Sequence, residues 1–248
     1  MLRGLWKLVW VEIKIFLREP MGAIGTIGTP LIIFLVLGRL SQKKQELTAA
    51  TSWLLNGTLP ILAFLLIALG QVLSLTAIVA IYREGGILRR LKATPLHPLT
   101  ILASQVIVKL LLSAVTLGLL VAAGKTLAAG QPVGHPLSLA LAMILSLVSI
   151  LSIGFVIASV VPTARFAQPL GSLLFYPMLA FSGLIFPLDR FPPALQKLAE
   201  FLPVKHAASL LQGIWNGGAW SEQLPAVGAL LLTFAICTAV AGKIFRWE

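Results

Sequence analysis

Six apolar stretches, each about as long as a membrane-crossing helix, alternate with short polar connections along this chain. A helix rises about 1.5 Å per residue, so roughly 20 apolar residues cover a ~30 Å hydrocarbon core. The stretches fall near residues 22–38, 56–81, 105–127, 136–161, 167–187 and 223–243. Inside lipid each backbone N–H and C=O must be satisfied within the protein, which makes every stretch a helix. Six spans occupy so much of the 248 residues that no separate soluble catalytic domain fits beside them. Charged residues make up 11% of the chain, under half the roughly 25% of a soluble domain. These facts exclude a globular cytosolic enzyme, a disordered chain and a nucleic-acid binder. The expected fold is an all-α integral membrane protein, one transmembrane domain over residues 1–248.

Residues 1–20 do not read as a signal peptide, because Lys7, Glu12, Lys14, Arg18 and Glu19 interrupt every candidate apolar core. On a helix, Arg3, Lys7, Lys14 and Arg18 fall within a sector of roughly 60°. Leu2, Trp6, Val9, Ile13 and Phe16 face the other way. A basic stripe opposite an apolar face with Trp and Phe describes a helix lying in the membrane interface. The other reading, a solvated surface helix, needs a soluble domain that is absent. Pro20 ends this helix.

Within the spans, Gly22, Gly25 and Gly28 suit close helix approach, and Ser146, Ser149 and Ser152 suit packing or hydrogen bonds between helices. With both termini on one side, that side carries twelve of the nineteen Lys and Arg residues, Lys109 counted among them. The positive-inside bias then places both termini in the cytoplasm of a plasma or inner-membrane protein. The net charge of +11 reads as this bias rather than as a nucleic-acid footprint.

Catalytic and ion-coupling chemistry is missing. All eight acids lie outside the expected spans, whereas ion-coupled carriers usually bury a carboxylate on the ion path. His97, His135 and His206 are far apart, with no acid at metal-ligand spacing, and Cys237 is the single cysteine. Gly124-Lys125-Thr126 ends like a phosphate-binding loop, but the required earlier glycine is Leu119 and the context is a membrane helix. No cofactor or metal is expected on this chain.

The segment from Tyr82 to Thr100 reads Tyr-Arg-Glu-Gly-Gly-Ile-Leu-Arg-Arg-Leu-Lys-Ala-Thr-Pro-Leu-His-Pro-Leu-Thr, on the positive side between the second and third spans. As a helix it gathers Ile87, Leu88 and Leu91 within roughly 100°, with Arg83, Arg89, Arg90 and Lys92 around them. Such a face suits docking into a partner's groove. A basic loop that only holds the topology explains periodicity equally well.

The segment also resembles the first cytoplasmic loop of type-2 ATP-binding-cassette exporter permeases. That pattern is an acid, Gly–x–Leu–x–x–Leu, then Thr-Pro-Leu; here it reads Glu84, Gly85 or Gly86, Leu88, Leu91 and Thr94-Pro95-Leu96. Taking Gly86 restores Gly–x–Leu and leaves the acid one residue early. The Leu2–Glu19 helix is similar to the family's interfacial connecting helix. Phe181–Leu188 and two short helices near Pro193–Phe201 and Lys205–Trp215 resemble its final extracytoplasmic segment, here residues 188–222. The resemblance implies a permease subunit with a coupling segment at 82–98, carried by Arg83, Glu84, Gly85, Gly86, Leu88, Arg89, Leu91, Lys92 and Pro95. It implies a second permease copy, the same or a related chain, and a separate ATPase that binds ATP and Mg. It places the cargo path on the dimer seam of the second and fifth spans, where Asn56, Gln71, Ser172 and Tyr176 are the candidate polar residues; hydrogen bonding between helices of one subunit explains these four equally well. Membrane lipids are the remaining partner, and no nucleic acid is involved. The rival readings are an ion-coupled carrier or channel and, third, a membrane-embedded enzyme. The cargo class stays open among drugs, lipids, glycolipids and polysaccharides, with a weak lean to lipid-like compounds.

Overall fold

The computed structural model describes residues 2–18, 24–43, 59–86, 98–127, 135–161 and 163–244. Among these residues the regular structure is all helical. α1 is Leu2–Arg18, and α2 is Thr29–Lys43, entered through a π-helical turn at Ile24–Gly28. The long helices are α3 (Leu59–Glu84), α4 (Pro98–Leu127) and α5 (Pro136–Val160). α6 (Ala164–Ala180) precedes two short helices, α7 (Pro193–Glu200) and α8 (Pro203–Trp215). α9 (Leu224–Ile244) ends the described chain. Among the described residues, three segments are long and apolar enough to cross a membrane: Ile61–Glu84, Pro136–Val160 and Trp220–Ile244. The chain is a multi-pass membrane protein.

Prolines set several helix starts. Pro136, Pro193 and Pro203 stand in the first turns of α5, α7 and α8, where the missing N–H has no intrahelical acceptor to lose. Glycine ends α3: Gly86 takes φ +65°, and its N–H bonds the Arg83 carbonyl at 3.1 Å. The expected short helices are therefore present, at 193–200 and 203–215. The fifth apolar stretch is helical only to Ala180 and continues in turns.

α3 is the central helix. It packs against α5 on one side and α6 on another, and also touches α2, α4 and α8. Phe64, Ala68, Val72, Leu75 and Val79 are buried along it. Among the described residues, two glycines outside the first span allow close approach to α3. A Cβ on Gly154 of α5 would lie 3.0 Å from Val72 Cγ1, and one on Gly171 of α6 would lie 2.7 Å from Leu73 Cδ2. Gly25 has nothing within 4 Å of its Cβ position and Gly28 only its own turn's Ile24, so neither seats a neighbouring helix within this protomer. Gly22 lies outside the described residues.

α9 packs on α5 and α8 and turns Leu231, Leu232, Phe234 and Ile236 outward, the side-chain chemistry of a lipid-facing surface. The serine reading of α5 holds at Ser149, whose Oγ donates to the Leu230 carbonyl of α9 at 2.8 Å. Ser152 bonds within its own helix, to the Ser149 carbonyl.

Candidate functional site

The last turn of α3 is a joint between helices. Tyr82 and Arg83, adjacent in sequence, point to different neighbours because consecutive helical residues sit about 100° apart. The Tyr82 hydroxyl donates to Glu12 Oε1 of α1 at 2.5 Å. Arg83 Nη1 donates to the carbonyls of Ala158 and Ser159, at 3.1 and 3.0 Å. Those carbonyls belong to the last turn of α5, where no intrahelical N–H remains to receive them. The guanidinium caps that helix and meets the negative end of its dipole. Beyond the joint the chain leaves through Gly85 and Gly86.

Of the residues assigned to coupling, Arg83 and Glu84 close α3 and Gly85 and Gly86 form the turn. Leu88, Arg89, Leu91, Lys92 and Pro95 lie outside the described residues. α1 divides its apolar side between two environments. Val9, Ile13 and Phe16 pack against Ile107, Val108 and Leu112 of α4. Trp6 and Trp10 stay 66% and 68% exposed, alongside exposed Lys7, Lys14 and Arg18. Of Arg3 only the backbone, within α1, is described.

Of the residues assigned to the path, the described ones fall into two places, Gln71 apart from Ser172 and Tyr176. Asn56 lies outside the described residues. Ser172 and Tyr176 share one face of α6; Ser172 Oγ donates to the Pro169 carbonyl at 3.0 Å, and Tyr176 is 57% exposed. Gln71 is fully buried in α3, with neither amide atom hydrogen-bonded. Leu73 marks the side of α3 that meets α6, and Gln71 sits about 160° around the helix from it. Gln71 and Tyr176 therefore do not share a surface of this protomer.

Sequence reading missed a polar set between α1, α3 and α4. Lys109, counted as a basic residue at the membrane edge, is buried at 3% exposure and donates to Ser74 Oγ of α3 at 2.7 Å. Gln105, Lys109 and Ser113 recur every four residues on a mainly apolar helix, and that spacing was the available signal.

The ABC-2 type transporter family profile matches residues 3–215, from α1 through α8. The chain belongs to that family. Among curated relatives, the linearmycin resistance permease protein LnrN of Bacillus subtilis is 34% identical to this ABC-2 permease over 109 residues, 44% of the chain. Nodulation protein J of Rhizobium leguminosarum bv. viciae is 28% identical over 95 residues, 38% of the chain. The matched stretches span 28% and 37% of those relatives' own lengths. Family membership ties this chain to membrane transport.

Proposed function

We propose that this permease is the membrane subunit of an ATP-driven exporter. Two copies pair, six spans per copy carry both termini on the cytoplasmic side, and separate ATPase subunits bind ATP and Mg. The observation that carries the coupling reading is the joint at Tyr82 and Arg83. A segment hung from one free helix end would lose its motion in that helix. One hung from an end fastened to α1 and α5 moves three helices together. A relative named as a resistance permease supports outward transport. The cargo is amphipathic, lipid-like, drug or glycan, and its path runs along the dimer seam past Ser172 and Tyr176, with Gln71 inside the protomer.

On this reading the isolated chain hydrolyses no ATP, and adding its cognate ATPase gives permease-dependent hydrolysis. Leu88→Asp with Leu91→Asp puts two carboxylates into the apolar docking face. Central interface residues are worth about 2 kcal/mol or more, so ATPase affinity should fall at least roughly 30-fold. Wild-type affinity and hydrolysis rate in the double variant would remove the coupling assignment.

The interfacial role of α1 is part of the same reading. Arg3, Lys7, Lys14 and Arg18 face the anionic leaflet at about 1 kcal/mol each, with Trp6 at headgroup level. Changing all four to Gln is expected to increase protease cleavage within residues 2–18 in inverted vesicles. The increase stays partial, because the four changes leave the hydrogen bond from Tyr82 to Glu12 in place. Cleavage identical to wild type would mean that contacts within the protein, not lipid charge, hold the helix.

A further inference from the structure

Where α4 meets α3 and α1, the packing turns polar. Gln105 and Lys109 are 1% and 3% exposed on one face of α4. Lys109 Nζ donates to Ser74 Oγ at 2.7 Å, which fastens α4 to α3. One end of the set is closed by α1, whose half-buried Glu12 accepts the Tyr82 hydroxyl. Glu12 stands one turn along α1 from Val9, which packs on Val108, the neighbour of Lys109, so α1 brings the carboxylate to the part of α4 that carries the ammonium. A buried ammonium needs compensation of this kind, since a lone hydroxyl does not replace its hydration.

The apolar contact of α1 with α4 is small: Val9 against Val108 and Leu112, with Ile13, Phe16 and Ile107 around it. Lipid tails solvate Val9 and Phe16 about as well as α4 does, so these contacts give α1 little reason to stay docked in a membrane. What lipid cannot replace is a counter-charge for Lys109 and an acceptor for Tyr82.

We propose that Glu12, Tyr82 and Lys109 form a partly buried polar latch that fixes the interfacial helix α1 to the α3–α4 pair. The latch stands on the packing of this chain alone; its use in transmitting motion from residues 87–97 rests on the exporter reading. Glu12 and Lys109 are positioning residues, the first holding α1 in place and the second holding the charge that retains it.

The test uses the full-length chain in native membranes, with Cys237→Ser to remove the native thiol. Val9→Cys and Val108→Cys are joined by a short bis-maleimide, which reports docking of α1 on α4 and needs no ATPase. A failure of the exporter reading would leave this readout unchanged. Glu12→Gln and Lys109→Met, made singly, are each expected to lower the crosslinked fraction at least threefold, because each leaves one charge unanswered. The pair Glu12→Gln with Lys109→Met removes both charges and is expected to recover most of the crosslink, the signature of two coupled residues. Tyr82→Phe deletes only the bridging hydroxyl and is expected to lower the crosslink about twofold in a chain that folds. Wild-type crosslinking in all three single variants would overturn the latch. A double variant equal to the product of its two singles would overturn it too, by showing that the charges act independently.

Discussion

Replacing Arg83 with methionine is expected to destabilise the isolated permease and to loosen the end of α5 before any ATPase is involved. Methionine keeps much of the apolar stem and removes both hydrogen bonds to the Ala158 and Ser159 carbonyls. Hydrogen bonds from a charged donor are worth about 1.5–3 kcal/mol each, and Arg83 is half-buried, so the pair is worth about 2–4 kcal/mol. Arg83→Lys restores a charge at the negative end of the α5 dipole and is expected to recover part of the loss. The measurement is thermal unfolding of the purified full-length chain, followed by its tryptophan fluorescence. This separates two roles for one residue. If Arg83 acted only by touching the ATPase, methionine would leave the melting of the permease alone unchanged and lower coupling. Equal melting of the wild type, Met and Lys variants would refute the capping role.

How much of this was legible in the sequence depends on whether a feature is local. Helix starts at Pro136 and Pro193 follow from the fixed φ and missing N–H of proline and lie where periodicity and punctuation place them, whereas the helix expected from Lys205 begins two residues earlier, at Pro203. The amphipathic Leu2–Arg18 helix was equally plain. What stayed hidden is the angle at which each helix presents its residues to a neighbour. A polar residue in a span is identifiable as costly, but nothing local tells which helix receives it. Gln71 could therefore be grouped with Tyr176 although α3 holds it on another side. Lys109 was counted as a topological charge because a charge count records sign and sequence position, not burial. Arg83 looked like one of several basic residues around a docking face. Its actual neighbours, 75 and 76 residues further on, are backbone carbonyls that any residue type would supply.

The same limit applies to glycine, and it yields the second large effect. Gly154→Leu is expected to force α3 and α5 apart and leave most of the expressed chain aggregated or degraded. A Cβ at residue 154 already stands 3.0 Å from Val72 Cγ1, 3.3 Å from Thr76 Oγ1 and 3.5 Å from Leu75 Cδ2. Alanine therefore requires shifts of tenths of an ångström, whereas leucine adds three further carbons with no room to enter. Overpacking a filled core costs about 1–3 kcal/mol. In a membrane the loss is harder to offset, because helices associate through close packing rather than through escape from water. Separation would also lengthen the 3.4 Å contact of Thr76 Oγ1 with the Gly154 carbonyl and disturb the central helix that α5, α6 and α4 share. Gly228→Leu on α9 is the control, since nothing lies within 4 Å of its Cβ position and its surface is exposed. Both variants make the same chemical change, so a difference between them isolates the helix contact. Size-exclusion profiles and melting curves in one detergent are expected to show Gly228→Leu like wild type and Gly154→Ala slightly weakened. Gly154→Leu should be largely lost. Indistinguishable profiles for the two leucine variants would mean that the α3–α5 contact is not what holds the bundle together.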